Sequence, residues 1–519
     1  MITGITIENF KGIRERVTLD FRPITLLFGA NSAGKSTVMY AMDYLHAILE
    51  TQSPIPELYS DKWKAGFSRL VHASDEGREI TIGITCELSD DDLGYFAIRG
   101  HTSTEIPGDW SAPVLFDSLF HEAPSPMSLE ITIASNPGLF MESLVNGAIV
   151  RRFRLSYQEI QLIEIEALPT ERRGLPKYVW RVNLDHDLLC AHAERSGTLE
   201  FICRSRDIFP NPSDPPLSDG FYEAIPGADE IPNDTIANLL NSLVTASFQI
   251  AKYRLKRSRR IGALRVIPEA TFLPRPSMDA TLWHDGLAAW NDLAYCGEDH
   301  MIDINDWLMR IGTRCILIQQ KLVDLREAQQ LFKHPPNSHE YASALVKAHT
   351  NAVRQVRLVR ANNEDEAATF FWNPLAASEL LCPVDFGTGI SQLVPIVVAC
   401  RDSSSFFWSI MQPELHLHPR MQAELGDLFI DSVNRFKHGF LIETHSENLL
   451  LRMMRRIRET AKTRQPNGLE LRTNEIAIYF FQQTDGRTTA TKIDVDINGD
   501  FIQPWPDDFF EIDFYERFS

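Results

Sequence analysis

Hydrophobic positions recur at two spacings along this chain, and the switches between them mark out its elements. In the first twenty residues apolar side chains alternate, as Ile5-x-Ile7 and then Val17-x-Leu19, which predicts two strands. Asn9-Phe10-Lys11-Gly12 between them reads as a turn. Ile24-Thr25-Leu26-Leu27-Phe28 is a short continuous apolar run, and Thr37 to Leu49 carries helical spacing. Glu79 to Leu88 alternates again. Strand-like runs follow at 128–134, 149–156 and 159–165, within a stretch from 101 to 235 rich in Pro, Gly, Ser and Asp. Asn233 to Ile250 predicts a helix, capped by Asn233 or Asp234. Residues 301–360 read as mainly helical, broken at His334-Pro335-Pro336-Asn337-Ser338. From Leu380 a strand, loop and helix pattern returns. Its apolar runs Phe406–Met411, Gly439–Ile442 and Glu475–Phe481 predict buried parallel strands. The chain has no internal repeat, low-complexity tract or long heptad array.

Composition narrows the class. At 519 residues and 44% hydrophobic content, the chain can build more than one core; domains of about 100 to 200 residues imply two to four units. A net charge of −19 argues against wholesale wrapping of nucleic acid, while leaving room for a local basic groove. The seven cysteines are scattered without a Cys-x-x-Cys spacing, so reduced thiols are expected and not a disulfide frame or a zinc site. Met1 to Phe10 lacks a basic start followed by an apolar core, so no signal peptide is expected. No apolar stretch approaches the ~18 residues of a membrane span. A cytoplasmic protein with no membrane partner is the expectation.

One segment carries chemistry by itself. Gly29-Ala30-Asn31-Ser32-Ala33-Gly34-Lys35-Ser36, followed by Thr37, is a complete phosphate-binding loop between a predicted strand and a predicted helix. Its glycines let successive backbone N–H groups converge on phosphate oxygens, and the helix start adds a positive dipole end. Lys35 would reach the β- and γ-phosphates, and the Ser36 hydroxyl would hold Mg²⁺. ATP with Mg²⁺ is the expected ligand. The remainder of a nucleotide site has to come from far along the chain.

Three later segments fit that requirement: Val384-Asp385-Phe386-Gly387-Thr388-Gly389-Ile390-Ser391-Gln392-Leu393-Val394-Pro395, Ile410-Met411-Gln412-Pro413-Glu414-Leu415-His416-Leu417-His418-Pro419, and Phe440-Leu441-Ile442-Glu443-Thr444-His445-Ser446. Together with the phosphate loop and the opening Ile5-x-Ile7-x-Asn9-Phe10-Lys11-Gly12, they resemble the ABC-type ATPases of the RecF, SMC and overcoming-lysogenization-defect group. The similarity is greatest to stand-alone bacterial ATPases of anti-phage operons, such as Septu- or PARIS-like subunits. Trp505-Pro506-Asp507-Asp508-Phe509-Phe510 matches a C-terminal segment of that family, and Gly262-Ala263-Leu264-Arg265 a Gly-Pro-Leu-Arg-like one, where Arg265 is either structural or nucleotide-linked. The resemblance covers roughly 1–90 and 250–519.

The resemblance implies an α/β fold: an ABC-type head with a mixed sheet, a strand-rich insertion and a helical subdomain. It divides the chain into an N-terminal ATPase lobe (1–95), an insertion (96–235), a helical subdomain (236–375) and a C-terminal ATPase lobe (376–519). It implies a dimer or higher oligomer in which Gly387, Gly389, Ser391 and Gln392 form a signature loop that closes over the partner's γ-phosphate. His445 would be the switch histidine that senses that phosphate. It also implies bacterial defence, with the ATPase as scaffold and sensor for a toxic effector encoded beside it, plausibly a nuclease. The alternatives are a DNA-repair ATPase that clamps DNA, and a nucleotide-dependent platform without turnover.

The chain departs from the family where catalysis is decided. An ABC engine ends its second strand with a metal-holding acid, a water-activating acid and Pro; here Met411-Gln412-Pro413 stands instead. A thioether is a poor ligand for a hard cation, and an amide cannot accept a proton as a base. Asp402 precedes the strand and does not substitute. Glu414 and Glu443 are the nearby acids, and Glu443 is the better candidate because it lies two residues before His445. Slow or conditional hydrolysis is the expectation, with no nuclease centre. His416-x-His418 reads as structural, and Asp494-x-Asp496-x-Asn498-Gly499 lacks the closing Glu of a calcium loop, having Trp505 at that position. Three basic runs remain. Lys252, Arg254, Lys256, Arg257, Arg259 and Arg260 are equally a solvated helix face or a contact for DNA phosphate or a partner. Arg354–Arg360 and Arg452–Arg458 read as solvated helix faces.

Overall fold

The computed structural model describes residues 1–54, 66–89, 92, 126–135, 148–168, 177–190, 193, 196–204, 217, 222–224, 232, 234–276, 280–336, 338–462, 468–484 and 486–506. The chain forms two compact units. The first comprises Met1–Arg22, Phe28–Ser258 and Tyr479–Lys492; the second comprises Pro23–Leu27, Arg259–Ile478 and Ile493–Ser519. The division falls within four strands, β3 (Ile24–Gly29), β11 (Ser258–Ile261), β16 (Ile476–Thr484) and β17 (Arg487–Ile493).

The first unit is built on a nine-stranded sheet ordered β10-β9-β8-β7-β6-β5-β4-β1-β2. In chain order these are Ile2–Glu8 (β1), Val17–Asp20 (β2), Ile80–Glu87 (β4), Pro126–Ser135 (β5), Ala148–Tyr157 (β6), Ile160–Ala167 (β7), Lys177–Asn183 (β8), Thr198–Arg204 (β9) and Tyr222–Ala224 (β10). Neighbouring strands in it pair antiparallel. Alternation is the cause. On β6 and β7 the buried Phe153, Leu155, Ile163 and Ile165 interleave with Arg152, Arg154, Glu164 and Glu166. The charged set forms a cross-strand ladder: Arg154 meets Glu164 at 2.6 Å, and Arg181 meets Glu164 and Glu166 at 2.7 and 2.9 Å. Helices α1 (Lys35–Thr51) and α2 (Asp234–Lys256) pack on each other and on this sheet. The Tyr157 and Ser247 hydroxyls bond at 2.6 Å within that packing. The strands expected in the insertion thus extend the N-terminal sheet, since β5 pairs along all of β4, and do not form a layer of their own. Asn233, one of the two expected caps of α2, lies outside the described residues, as do Asp507 to Phe510 of the C-terminal segment.

In the second unit the sheet runs β11-β14-β15-β3-β16, with β11 at Ser258–Ile261, β14 at Phe407–Met411 and β15 at Gly439–Glu443. β14, β15 and β3 are parallel, and their continuous apolar runs are buried, as the sequence predicts. Helices α3 (Leu287–Tyr295), α4 (Glu298–Ile311), α8 (Thr388–Arg401), α9 (Pro419–Phe436) and α10 (Glu447–Lys462) surround it. The fully buried Arg401 fastens three of them. It holds Asp303 of α4 with bonds of 2.6 and 2.9 Å and also Asp431 of α9. A buried cation persists only when paired in this way.

Residues 301–360 carry the expected helices, broken around 334–338, and add a strand pair that the sequence did not predict. Between α4 and α7 (Glu364–Trp372) lies a hairpin of β12 (Cys315–Leu322) and β13 (Val353–Arg360), with α5 (Leu325–Leu331) and α6 (His339–Asn351) between its strands. Val353-Arg-Gln-Val-Arg-Leu-Val-Arg does not alternate strictly, yet Val356, Leu358 and Val359 are buried in a strand paired along its length with β12, and tertiary pairing overrides the helical reading. The basic run here therefore lies on a strand. Arg354 stands over the Tyr295 ring at 5.1 Å, and Arg360 over the Phe386 ring at 4.7 Å.

Candidate nucleotide site

The phosphate loop occupies the first unit between β3 and α1. Gly29, Ser32 and Gly34 have φ of 131°, 64° and 103°. Such alternation of hand turns successive N–H groups toward one side, the arrangement that cradles an anion. Ala30, Asn31 and Ser32 are exposed, whereas Ala33, Gly34, Lys35 and Thr37 are buried and Ser36 is half-buried. The Lys35 ammonium donates to the carbonyls of Gly29 and Ala30 at 2.8 and 2.7 Å, so the cation is seated over the loop's own backbone. The first turn of α1 carries no acid to compete with a phosphate. Both glycines are also fixed by packing. A Cβ at Gly29 would lie 2.0 Å from the Phe481 carbonyl oxygen, and one at Gly34 would lie 3.1 Å from Thr488 Cγ2. The opening turn buttresses the loop: Thr488 donates to Gly12 O at 3.1 Å, and Lys11 stands over the Tyr40 ring at 5.2 Å. This geometry fits a nucleoside triphosphate, with Lys35 for its terminal phosphates and the Ser36 hydroxyl for an accompanying Mg²⁺.

The other expected site residues lie in the second unit. The candidate signature segment opens α8. Gly387 has φ of 118° and ψ of 139°, outside the range of residues with a Cβ, and the helix starts at Thr388. Gly387, Thr388, Gly389 and Ile390 reach solvent to differing degrees. Ser391 and Gln392 do not: the Ser391 hydroxyl donates to Pro383 O at 2.6 Å, and Gln392 is 6% exposed. The part of this segment that can meet a second molecule is the backbone at 387–390. A Cβ at Gly389 would approach the His416 carbonyl oxygen to 2.6 Å, so this glycine serves close packing within its own unit.

β14 and β15 end side by side. Met411 is in register with Glu443, and Glu443 with Leu27, two residues ahead of the phosphate loop in sequence. Gln412 turns the chain with φ of 45° and donates its N–H to Glu443 O at 2.7 Å. The two candidate acids differ in their engagements. Glu414 accepts from the Thr444 hydroxyl at 2.8 Å and from the His445 N–H at 2.7 Å, one donor on each oxygen. Burial pushes its carboxyl above the usual carboxylate range, against the pull of these bonds and of Arg265. Glu414 therefore braces the segment that presents His445. Glu443 is 5% exposed at the end of its strand, with Thr444 held by Leu27 O at 3.1 Å beside it. His445 is half-buried just before α10, whose start Ser446 caps by accepting from Leu449 N at 3.1 Å.

A residue whose role the sequence left open connects these segments. Arg265 is 4% exposed. Its backbone N–H donates to Gln392 Oε1 at 3.0 Å, and its carbonyl accepts from Gln392 Nε2. Its guanidinium donates to the carbonyls of Gln392, Met411 and Gln412 at 3.4, 2.9 and 3.1 Å. Burial lowers its pKa to about 10, and Glu414 opposes that shift. No spacing rule in the sequence joins position 265 to 392 and 411.

The histidine pair and the calcium-like loop have local roles. His418 Nδ1 accepts from Arg420 N at 3.3 Å at the start of α9, and Asp496 accepts from the N–H groups of Asn498 and Asp500 at 2.8 and 2.9 Å. Among the described residues no group of three or more His, Cys, Asp and Glu could hold a metal ion. The basic run at 252–260 is partly neutralised: Lys252 pairs with Glu50 at 3.0 Å and Arg254 with Asp92 at 2.6 Å, while Arg257 stands over the Tyr253 ring. On α10, Arg452 and Arg456 both pair with Asp427, at 2.5 and 2.6 Å. No described helix is long and apolar enough to cross a membrane.

Comparison with known proteins agrees with the loop. Residues 1–173 match the family model of the AAA ATPase domain. No curated protein matches the chain. Similar solved structures include an Smc head bound to the C-winged helix domain of ScpA, at 8% identity and a TM-score of 0.40, covering 95% of this chain and 98% of that one. An Smc head domain with an extended coiled coil, bound to the C-terminal domain of ScpA, derived from Pyrococcus furiosus, gives 9% identity, 0.37, 95% and 96%. The Smc head domain from Thermotoga maritima gives 8%, 0.35, 95% and 99%. The matched region, residues 1–173, contains the complete phosphate loop and is similar to that ATPase domain.

Proposed function

We propose that this protein is an ATP-binding, ABC-type subunit whose nucleotide-dependent self-association controls an effector protein in bacterial anti-phage defence, with slow ATP turnover. The observation that carries the ATP assignment is the phosphate loop, with Lys35 seated on the carbonyls of Gly29 and Ala30 and the N–H groups of 30–36 turned by three residues of positive φ. In this reading Lys35 exchanges carbonyl contacts for phosphate oxygens when ATP binds, and the Ser36 hydroxyl helps hold Mg²⁺. The metal supplies charge neutralisation at the terminal phosphates.

Slow turnover follows from the strand end. Met411 offers only a soft thioether, Gln412 only an amide that cannot act as a base, and both oxygens of Glu414 accept hydrogen bonds from its neighbours. Glu443, two residues before His445 in sequence, is the acid assigned to orient and deprotonate water, with His445 as the switch histidine that senses the γ-phosphate. The backbone at 387–390 would close over ATP held by a second copy. The defence setting and the effector rest on the motif resemblance alone. Phosphate release, measured with and without the product of the neighbouring gene and with and without DNA, tests the reading. Release that rises with that partner and not with DNA supports it. Salt-dependent DNA binding with DNA-stimulated release, and no effect of the partner, would replace it with a DNA-clamping ATPase.

A further inference from the structure

We propose that Arg265 is a positioning residue that locks the first turn of α8 to the end of β14, so that the candidate signature segment and the acid-bearing turn at 411–414 move as one piece. The inference deepens the function proposed above and rests on it for its catalytic consequence. Its structural part stands on hydrogen bonds. Gln392 grips the backbone of Arg265 with both ends of its amide, as acceptor at 3.0 Å and as donor. The guanidinium of the same Arg265 then bridges three carbonyls, one on Gln392 and two on the Met411–Gln412 turn about 20 residues further along the chain. One carbonyl belongs to a helix start and two to a strand end, and as acceptors they can be joined only through a shared donor. A planar guanidinium with five N–H groups can span all three, whereas an ammonium cannot.

The surroundings hold Arg265 in place. Gly262 N donates to His284 O at 2.8 Å and Val266 N to Asp285 O at 2.7 Å, which fixes the segment on both sides of it. A Cβ at Gly286 would sit 3.3 Å from Arg265 Cβ and 3.0 Å from Pro395 Cγ, so the start of α3 and the proline inside α8 close over it. Such burial of a cation is stable because its donors meet three carbonyls and because the Glu414 carboxylate is near enough to favour the charge. The tie makes a specific demand on mechanism. Any displacement of α8 toward a second molecule pulls the Gln412 turn, and with it Glu414, which holds the His445 N–H. ATP binding by the loop of the first unit does not call on this tie; alignment for turnover does.

The test compares the full-length wild type with Arg265→Met, Arg265→Lys and Gln392→Ala. Equilibrium binding of a fluorescent ATP analogue is expected to stay within about twofold in all three, while single-turnover phosphate release falls on the order of 10²-fold in Arg265→Met, the scale of a small misplacement of catalytic groups. Arg265→Lys recovers part of the loss, and the Arg265→Met/Gln392→Ala double variant is no slower than Arg265→Met, because both changes cut one network. Wild-type release in Arg265→Met, or weakened binding at an unchanged rate, overturns the proposal. Hydrogen exchange without nucleotide reads the tie independently of ATP. Exchange at 388–391 and at 412–416 is expected to rise together, by about tenfold, in Arg265→Lys and Gln392→Ala as well as in Arg265→Met. Exchange that rises in one segment alone, or in neither, overturns the tie. A wild type that binds no ATP refutes the function proposed above and leaves the exchange result to judge Arg265.

Discussion

Replacing Glu414 separates a brace from a base. Its two oxygens accept one N–H and one O–H, from His445 and Thr444. Hydrogen bonds to a charged acceptor contribute about 1.5–3 kcal/mol each, so Glu414→Ala removes on the order of 3–6 kcal/mol of interaction. Part of that is returned, because burial already holds the carboxyl above its ordinary pKa and so opposes the charged form. A net loss smaller than that gross figure is expected, read as a lower urea midpoint at constant slope. Glu414→Gln keeps one acceptor and loses the other, so its loss is about half as large. Hydrogen exchange at the His445 amide should rise with the loss of its acceptor, while exchange across α9 stays as in the wild type. Phosphate release in Glu414→Gln should remain within a few-fold of wild type. A Glu414→Gln variant that keeps its urea midpoint and its His445 protection but loses release a hundredfold would make Glu414 the base and refute this reasoning.

Other consequences are specific. Gly389→Ala places a methyl 2.6 Å from His416 O, backbone against backbone; overpacking of about 1–3 kcal/mol should appear as a lower urea midpoint. An unchanged midpoint would show that the first turn of α8 yields freely. Burial lowers the His438 pKa to about 4, with Nδ1 against the Ser432 hydroxyl at 2.6 Å. The fold thus prefers the neutral ring, and its contribution is intact above the unfolded pKa of about 6.5 and is lost as pH falls from there toward 4. His438→Gln should therefore shrink the drop in urea midpoint between pH 7 and 4.5, and an identical drop in both proteins would contradict this assignment.

The sequence was legible where one element carries its own pattern. Gly29 to Ser36 announced its loop because strand, glycines, lysine and helix are contiguous, and the runs at 407–411 and 439–443 announced buried parallel strands because they are apolar apart from Ser409 and the closing Glu443. The strands of β12 and β13 were not legible, since the 30 residues between them (323–352) are mainly helical and only their mutual pairing, from Cys315 with Arg360 to Leu322 with Val353, selects the extended form. The engagement of Glu414 was also hidden. It is an acid near a histidine in sequence, but only the fold shows that it turns back onto Thr444 and His445, after the positive-φ turn at Gln412. Arg265 was readable only as one position of a family motif, because its partners lie at 392 and 411–412, beyond any local period.

The central claim, ATP held by the phosphate loop and turned over slowly by an acid displaced to Glu443, is tested most directly by pairing ATP binding with single-turnover phosphate release in Lys35→Ala and Glu443→Gln. The account predicts that Lys35→Ala abolishes binding. It predicts that Glu443→Gln binds ATP as the wild type does and releases phosphate about 10²- to 10⁴-fold more slowly, the usual contribution of a general base. Normal release in Glu443→Gln, or undiminished ATP binding in Lys35→Ala, would contradict it.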